Sequence, residues 1–167
     1  MTYQNPKFFQ NSELHQRALT VAKKFREAES ELIDLLQEID TQKTFREVGY
    51  TSLFEYAVKA LKLSEANASN FITVARKSKS VPELQLAINA GDLTVSKARK
   101  ITPILTTENS GHWIEMAKTL SKPQLEKEVA RVAPQTLTPE RIKYVTADRL
   151  EFKIGISEEI MVKLKRA

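Results

Sequence analysis

The chain has 167 residues, a formal net charge of +5, 28% charged residues, only four glycines and no cysteine. This length fits one ordinary domain or two small ones, and the lack of cysteine excludes disulfides, thiolate metal sites and cysteine nucleophiles. No run approaches the roughly 18 uncharged apolar residues that a membrane span requires, and no signal segment follows Met1. We therefore predict a mainly α-helical, cytoplasmic protein with no membrane partner.

The N-terminal region is predicted to be a loose arm, residues 1–11, followed by one long helix beginning near Ser12. In that helix, apolar residues recur at alternating spacings of four and three, as in the seam of a coiled coil. These residues are Leu14, Ala18, Val21, Phe25, Ala28, Leu32, Leu35 and Ile39. The seam can pair with the same helix of a second copy or with a neighbouring helix of its own domain.

The stretch from Thr51 to Ile101 is predicted to contain a helix-turn-helix unit at residues 52–77. Thr51 or Ser52 can cap the first helix, and apolar residues at helical spacing follow. A tight turn around Lys62 precedes Ser64, which can cap the second helix. Because further short helices follow, we expect residues 12–133 to form one helical domain.

The second helix of this unit has a polar side that suits a DNA groove. At about 100° per residue, its outward side places short amides and hydroxyls beside basic residues. In a helix-turn-helix, the N-terminal half of the second helix lies nearest the bases. The candidate base-contacting residues are Asn67, Ser69, Asn70 and Thr73.

Basic residues around the same unit are candidates for phosphate contacts. Between Thr51 and Ile101 the chain has eight cations and four anions, which accounts for +4 of the net charge. A local positive field attracts a polyphosphate, although a solvated lysine-rich surface is the alternative explanation. The candidates are Arg76, Lys77, Lys79, Lys97, Arg99 and Lys100.

Residues 58–71, VKALKLSEANASNF, resemble the helix-turn-helix of ParB- and KorB-type partition proteins. The following residues resemble the next helices of that domain, with Pro82 starting one helix and Gly91 ending it. Two positions depart from the pattern: Lys62 stands where glycine is usual, and Val58 where a small residue is usual. We expect Lys62 to adopt a left-handed backbone at a cost of about 1 kcal/mol. The resemblance implies duplex DNA as the partner.

The C-terminal region is predicted to leave the helical domain after two more helices, the second of which begins at Ser121. Trp113 and its apolar neighbours are predicted to face the core. Residues 134–149, rich in proline and threonine, are predicted to be a linker. Residues 150–156 alternate apolar and polar, which predicts one short β-strand, and a final helix follows Ser157. We expect residues 150–167 to be truncated, so that they pack on a partner or the natural protein continues.

A more specific resemblance covers about four fifths of the chain. Residues 52–77, 87–109 and 150–167 resemble the N-terminal helical region of bacterial HNH endonuclease family proteins, related to the 13E12 repeat proteins. That resemblance implies a helical module in front of a metal-dependent nuclease domain. HNH chemistry requires clustered histidines at a divalent ion, whereas this chain has only His15 and His112, far apart. We therefore assign no catalytic, metal or cofactor residue, and expect a divalent metal only where the nuclease domain is present.

Two functions are compatible with these patterns. The first is a DNA-binding module, the targeting region of an HNH-type nuclease whose catalytic domain is absent from this chain. The second is a helical dimerisation or protein-interaction module in which the central unit is scaffold. A homodimer is expected through the first long helix or through the C-terminal strand and helix. Enzyme activity stays open, and we expect no DNA cleavage by this chain with magnesium or manganese.

Overall fold

The computed structural model describes residues 13–134, 141–146, 148–153, 155–156 and 158–164. The predicted mainly α-helical fold is confirmed. The helices are α1 (Glu13–Gln42), α2 (Thr44–Glu47), α3 (Leu53–Lys59), α4 (Glu65–Ser80), α5 (Pro82–Asn89), α6 (Val95–Ile101), α7 (Ser110–Thr119), α8 (Lys122–Val132) and α9 (Glu158–Leu164), and the strands are β1 (Arg141–Thr146) and β2 (Arg149–Lys153). The predicted arm, residues 1–11, and the predicted caps Ser12 and Ser157 lie outside the described residues. None of the described helices is long and apolar enough to cross a membrane.

The long helix α1 packs on the domain through its C-terminal half. Ile33 and Leu36 are fully buried there, and the Ser30 hydroxyl hydrogen-bonds the Asn89 side chain on α5. The predicted seam is correct only in part in this half: Leu32 and Ile39 pack against the core, whereas Leu35 is 47% exposed. Contacts with both α4 and α5 explain the difference, since two packing neighbours bury a wider and rotated side of a helix than one coiled-coil partner does.

Side-chain caps begin α3 and α4 at the predicted residues. Ser52 Oγ accepts the Glu55 amide at 3.0 Å, and Ser64 Oγ accepts the Asn67 amide at 3.2 Å. The first-turn amides of a helix have no partner within the helix, so an acceptor at the cap fixes where the helix starts. The two helices of the predicted helix-turn-helix therefore have the expected boundaries within a few residues.

The next two helices also follow their local signals. Pro82 occupies the start of α5, and Gly91 follows its end with a φ of 77°. Thr94 Oγ1 accepts the Lys97 amide at 3.4 Å and caps α6. A fixed proline φ, a left-handed glycine and a capping hydroxyl are local devices, which explains why the sequence predicts these boundaries well.

Helix α4 lies at the centre of the core. It packs against α1, α3, α5 and α6. Trp113, Ile114 and Ala117 of α7 are buried in the same core, as predicted. The residues that α4 buries are Ala68, Phe71, Ile72, Val74, Ala75 and Ser78. A helix packed on several sides leaves only a narrow outer arc for contact with a ligand.

The C-terminal region contains a β-hairpin followed by α9. Strand β1 pairs antiparallel with β2, with Tyr144 opposite Leu150. Strand β2 matches the predicted strand in part, but β1 lies within residues 134–149, so the linker prediction is wrong there. The signal that was missed is the β-branched and aromatic content of the segment RIKYVT. This segment forms a strand because β2 provides a pairing partner. The chain divides into two compact units between Val129 and Ala130, and the hairpin and α9 belong to the second.

Candidate nucleic-acid interface

A residue with a left-handed backbone joins α3 and α4, the two helices of the predicted helix-turn-helix. Lys62 has a φ of 58°, and the following amide, that of Leu63, donates to the Ala57 carbonyl at 3.1 Å. The turn thus has the backbone expected at a position where glycine is usual, although the Cβ of lysine disfavours it. The Lys62 side chain is exposed.

The first helix of the unit is held by Glu55. Its Oε2 accepts the Thr51 amide at 2.9 Å and the Thr51 hydroxyl at 2.6 Å, while Oε1 accepts from Lys59 Nζ at 2.8 Å. The hydrogen bond from Lys59 is the largest of several contributions that lower the pKa of Glu55 to about 2. The positive charge of Lys59 is therefore balanced within α3.

One side of α4 remains accessible over its whole length. Counting about 100° per residue, this side lies opposite the buried residues. We term it the outer stripe: Ala66, Ser69, Asn70, Thr73, Arg76, Lys77 and Ser80, all exposed or half-buried. None of these residues is acidic, and Glu65 lies beside them in the first turn. Small side chains allow close approach, and their hydroxyl, amide and cationic groups match base edges and phosphates.

Asn67 lies apart from the other three candidate base-contacting residues. It precedes Phe71 by four residues and Val74 by seven, and both of these are buried. Residues at these spacings share one side of a helix. Asn67 is exposed in the first turn of α4, but its side chain belongs to a different side of the helix from the outer stripe, which contains Ser69, Asn70 and Thr73.

The C-terminal half of the outer stripe forms one wall of a basic cleft of about 360 Å³. The second wall is the end of α6 and the residues that follow it. The lining residues are Thr73, Arg76, Lys77, Ser80, Arg99, Thr102 and Pro103. Three cations and three hydroxyls surround this volume with no carboxylate among the lining residues, which is chemistry suited to a phosphate group. The cleft, which we term the basic cleft, brings together four of the predicted site residues from two helices.

Arg76 has an acidic neighbour on α1. Its Nε donates to Asp40 Oδ2 at 2.7 Å, and Lys43 Nζ lies 3.0 Å from Asp40 Oδ1. The hydrogen bond from Arg76 is the main reason that the pKa of Asp40 is lowered, and Asp40 in turn raises the pKa of Arg76. The Arg76 side chain is still 61% exposed, so the other nitrogens of its guanidinium can donate to a ligand.

Lys77 and Arg99 are oriented by contacts within the domain. Lys77 Nζ donates to the Leu105 carbonyl at 2.9 Å, and Arg99 Nη1 donates to Thr102 Oγ1 at 3.2 Å. Arg99 Nε is buried and has no hydrogen-bond partner among the described residues. A buried donor without an acceptor destabilises the folded state. An anion bound in the basic cleft would bring an acceptor to the neighbourhood of this guanidinium.

The other predicted cations contact different parts of the domain. Lys97 Nζ donates to the Lys118 carbonyl on α7 at 3.3 Å, and Lys79 Nζ donates to the Thr41 hydroxyl on α1 at 3.1 Å. Lys100 Nζ pairs with Glu126 Oε1 on α8 at 2.7 Å, and this hydrogen bond lowers the pKa of Glu126. None of the three lysines lines the basic cleft.

Two hydroxyl-bearing residues of the cleft, Ser80 and Thr102, and the acidic neighbour of Arg76 were not among the sequence candidates. Ser80 follows Thr73 by seven residues, so helical spacing could have identified it. Thr102 enters the site because α6 packs on α4, and Asp40 enters because α1 packs there. Those contacts join residues far apart in sequence, and no local sequence pattern indicates them.

Neither His15 nor His112 belongs to a metal site formed by the residues that the structure describes. His112 packs edge-on against Trp113, with ring centroids 5.5 Å apart. Within the described part of the chain, no group of three or more histidine, aspartate or glutamate side chains could hold a metal ion.

Comparisons of the chain with family models, curated proteins and solved structures found no match. The resemblances to partition proteins and to HNH endonuclease family proteins therefore rest on the sequence motifs alone. The geometry of the outer stripe and the basic cleft is independent of those resemblances.

Proposed function

We propose that the chain is a duplex-DNA-binding module with α4 as its recognition helix. The observation that carries the proposal is the outer stripe, which presents small polar side chains without a carboxylate and ends in the basic cleft. In the proposed complex, Ser69 and Asn70 lie against base edges, while Arg76, Lys77 and Arg99 hold a backbone phosphate.

The basic cleft also indicates how strongly binding should depend on salt. If its three cations neutralise phosphates, log K should fall against log[salt] with a slope of about −3 for each copy bound. The Asp40 carboxylate beside Arg76 reduces the local positive potential, so binding by one copy should be weak. Replacing Arg76 and Lys77 with alanine should lower the affinity and make the slope shallower by about 2.

The experiment is a fluorescence anisotropy titration of a labelled duplex at two salt concentrations. We expect Ser69→Glu to weaken binding about tenfold or more, because it places a carboxylate on the outer stripe, inside a groove flanked by phosphates. Thr20→Glu adds the same charge at an exposed position of α1 and should bind as the parent does. Salt-insensitive binding, or equal affinity of Ser69→Glu and Thr20→Glu, would contradict the proposal.

The finer part of the proposal comes from the resemblance to HNH endonuclease family proteins. It makes this module the targeting region that brings a separate metal-dependent nuclease domain to DNA in the bacterial cytoplasm. The reading frame downstream of residue 167 tests it: histidines and an asparagine in an HNH pattern support it, and their absence there and elsewhere in the gene contradicts it.

A second candidate function is a dimerisation or protein-interaction module. The exposed apolar side chains in the N-terminal half of α1 favour it, and from the sequence the C-terminal strand and helix are a second possible contact surface. Sedimentation without DNA separates the two candidates. Self-association of a chain that fails the anisotropy test would support the interaction module alone.

A further inference from the structure

We propose that the N-terminal half of α1, residues 13–28, binds a second copy of this chain in antiparallel orientation. Val21 is 66% exposed and Phe25 is 63% exposed, and together with Leu14 they form an apolar side that one copy leaves in water. They contribute to a groove of about 780 Å³. The residues that line it are Leu14, Arg17, Ala18, Val21, Ala22, Phe25, Arg26, Glu29 and Thr94. This inference does not depend on DNA binding.

The apolar side of this half points the same way as the side that α1 buries in the core. Leu14, Phe25 and Leu36 are spaced by eleven residues, which is about three helical turns, so they share one side of the helix. Leu36 is fully buried against the domain. Thr94, the cap of α6, lines the groove with the α1 residues. The groove therefore lies in the angle between α1 and the rest of its own domain, and its occupant lies alongside α1.

This geometry determines the orientation of two copies that meet at the groove. Each domain lies on the same side of α1 as the apolar residues. If the two helices packed in parallel through their apolar sides, the two domains would therefore occupy the same space between the helices and clash. Antiparallel helices place the two domains at opposite ends of the contact. The start of each helix, near Leu14, then approaches Thr94 of the other copy.

The charges along α1 favour the same orientation. Its charged residues between positions 14 and 26 are cations, whereas those between positions 27 and 40 are all acidic. When Val21 is level with Phe25 of the second copy, Arg17 is level with Glu29, and both line the groove. Burial raises the pKa of Glu29, and a cation nearby would offset the cost of keeping its carboxylate charged. In a parallel pair each of these residues would be level with the same residue of the second copy, so like charges would face each other.

Analytical ultracentrifugation of the full chain without DNA tests the contact. We expect a concentration-dependent dimer, and we expect Phe25→Asp to raise its Kd roughly a hundredfold. Because Phe25 is exposed in one copy, the variant should keep the parent's circular dichroism. Leu19→Asp introduces the same charge at an exposed leucine of α1 that does not line the groove, and should leave the Kd near that of the parent. A parent that is monomeric at several hundred micromolar, or a Phe25→Asp variant that dimerises as the parent does, overturns the proposal.

The absence of cysteine allows a direct measurement of orientation. A single Glu13→Cys, at an exposed position that does not line the groove, can carry a nitroxide and report one distance by electron paramagnetic resonance. In the antiparallel pair the two labels are separated by roughly 30 Å, because position 13 is level with position 33 of the other copy. A separation near 10 Å, seen as dipolar broadening of the continuous-wave spectrum, would show parallel helices and overturn the orientation.

Charge reversal provides an independent test of the register. Arg17→Glu should raise the Kd about tenfold, because it faces Glu29 of the second copy. The double variant Arg17→Glu with Glu29→Arg should restore the parent's Kd in an antiparallel pair. Failure of the double variant to recover would contradict this pairing.

Discussion

Lys62 holds a left-handed backbone while carrying a Cβ, and relative to glycine this costs the folded state about 1 kcal/mol. Lys62→Gly should therefore raise the free energy of unfolding by up to about 1 kcal/mol, less the entropy that glycine adds to the unfolded chain. Urea denaturation measures the change. Lys62→Ala removes the same charge but keeps the Cβ, so a gain shared by both variants would assign the effect to charge.

Asp40 makes the stability of the domain depend on pH. Arg76 lowers the pKa of Asp40 in the folded state. The ion pair therefore stabilises the fold above the ordinary aspartate pKa of about 3.9, and this stabilisation is lost as pH falls through the lowered pKa. The Arg76 side chain is 61% exposed, although that of Asp40 is only 17% exposed, so solvent screening limits the contribution of the pair to about 1 kcal/mol. Asp40→Asn should be slightly less stable than the parent in urea at pH 7. A stability difference between the two that stays constant down to pH 3 would contradict this account.

At the scale of elements, α1 provides a matched pair of neighbouring leucines. Leu36 is fully buried, and Leu36→Ala should lower the free energy of unfolding by about 2–4 kcal/mol through lost burial and a cavity. Leu35 is 47% exposed, and Leu35→Ala should cost less than about 1 kcal/mol. If chemical denaturation showed a larger loss of stability for Leu35→Ala than for Leu36→Ala, Leu35 would face the core as the seam predicted.

The helix boundaries and the helix packing differ in how well a sequence predicts them. Ser52, Ser64 and Lys62 were predicted because a cap or a left-handed turn depends on residues a few positions away. The buried side of α1 and the second wall of the basic cleft depend on contacts between elements far apart in the chain, namely α1 with α4 and α5, and α6 with α4. The strand β1 was missed for a different reason: its β-branched and aromatic residues are a local signal, but only pairing with β2 decides that they form a strand.

At the scale of the whole molecule, the two compact units predict how the chain tolerates shortening. Every residue of the described hydrophobic core lies between Ile33 and Val129. A chain of residues 1–134 should therefore keep the parent's thermal unfolding midpoint within a few degrees, as monitored by circular dichroism at 222 nm. A fall of ten degrees or more would show that residues after position 134 stabilise the helical unit.

The length of the N-terminal half of α1, residues 13–28, has a consequence for the spacing of two bound copies along DNA. In an antiparallel pair this length fixes the separation of the two domains, and with it the separation of the two α4 outer stripes. Inserting seven helical residues into residues 13–28 would move the domains apart by about 10 Å, which is about three base pairs of duplex. The preferred distance between two half-sites would then be set by a helix that touches no base.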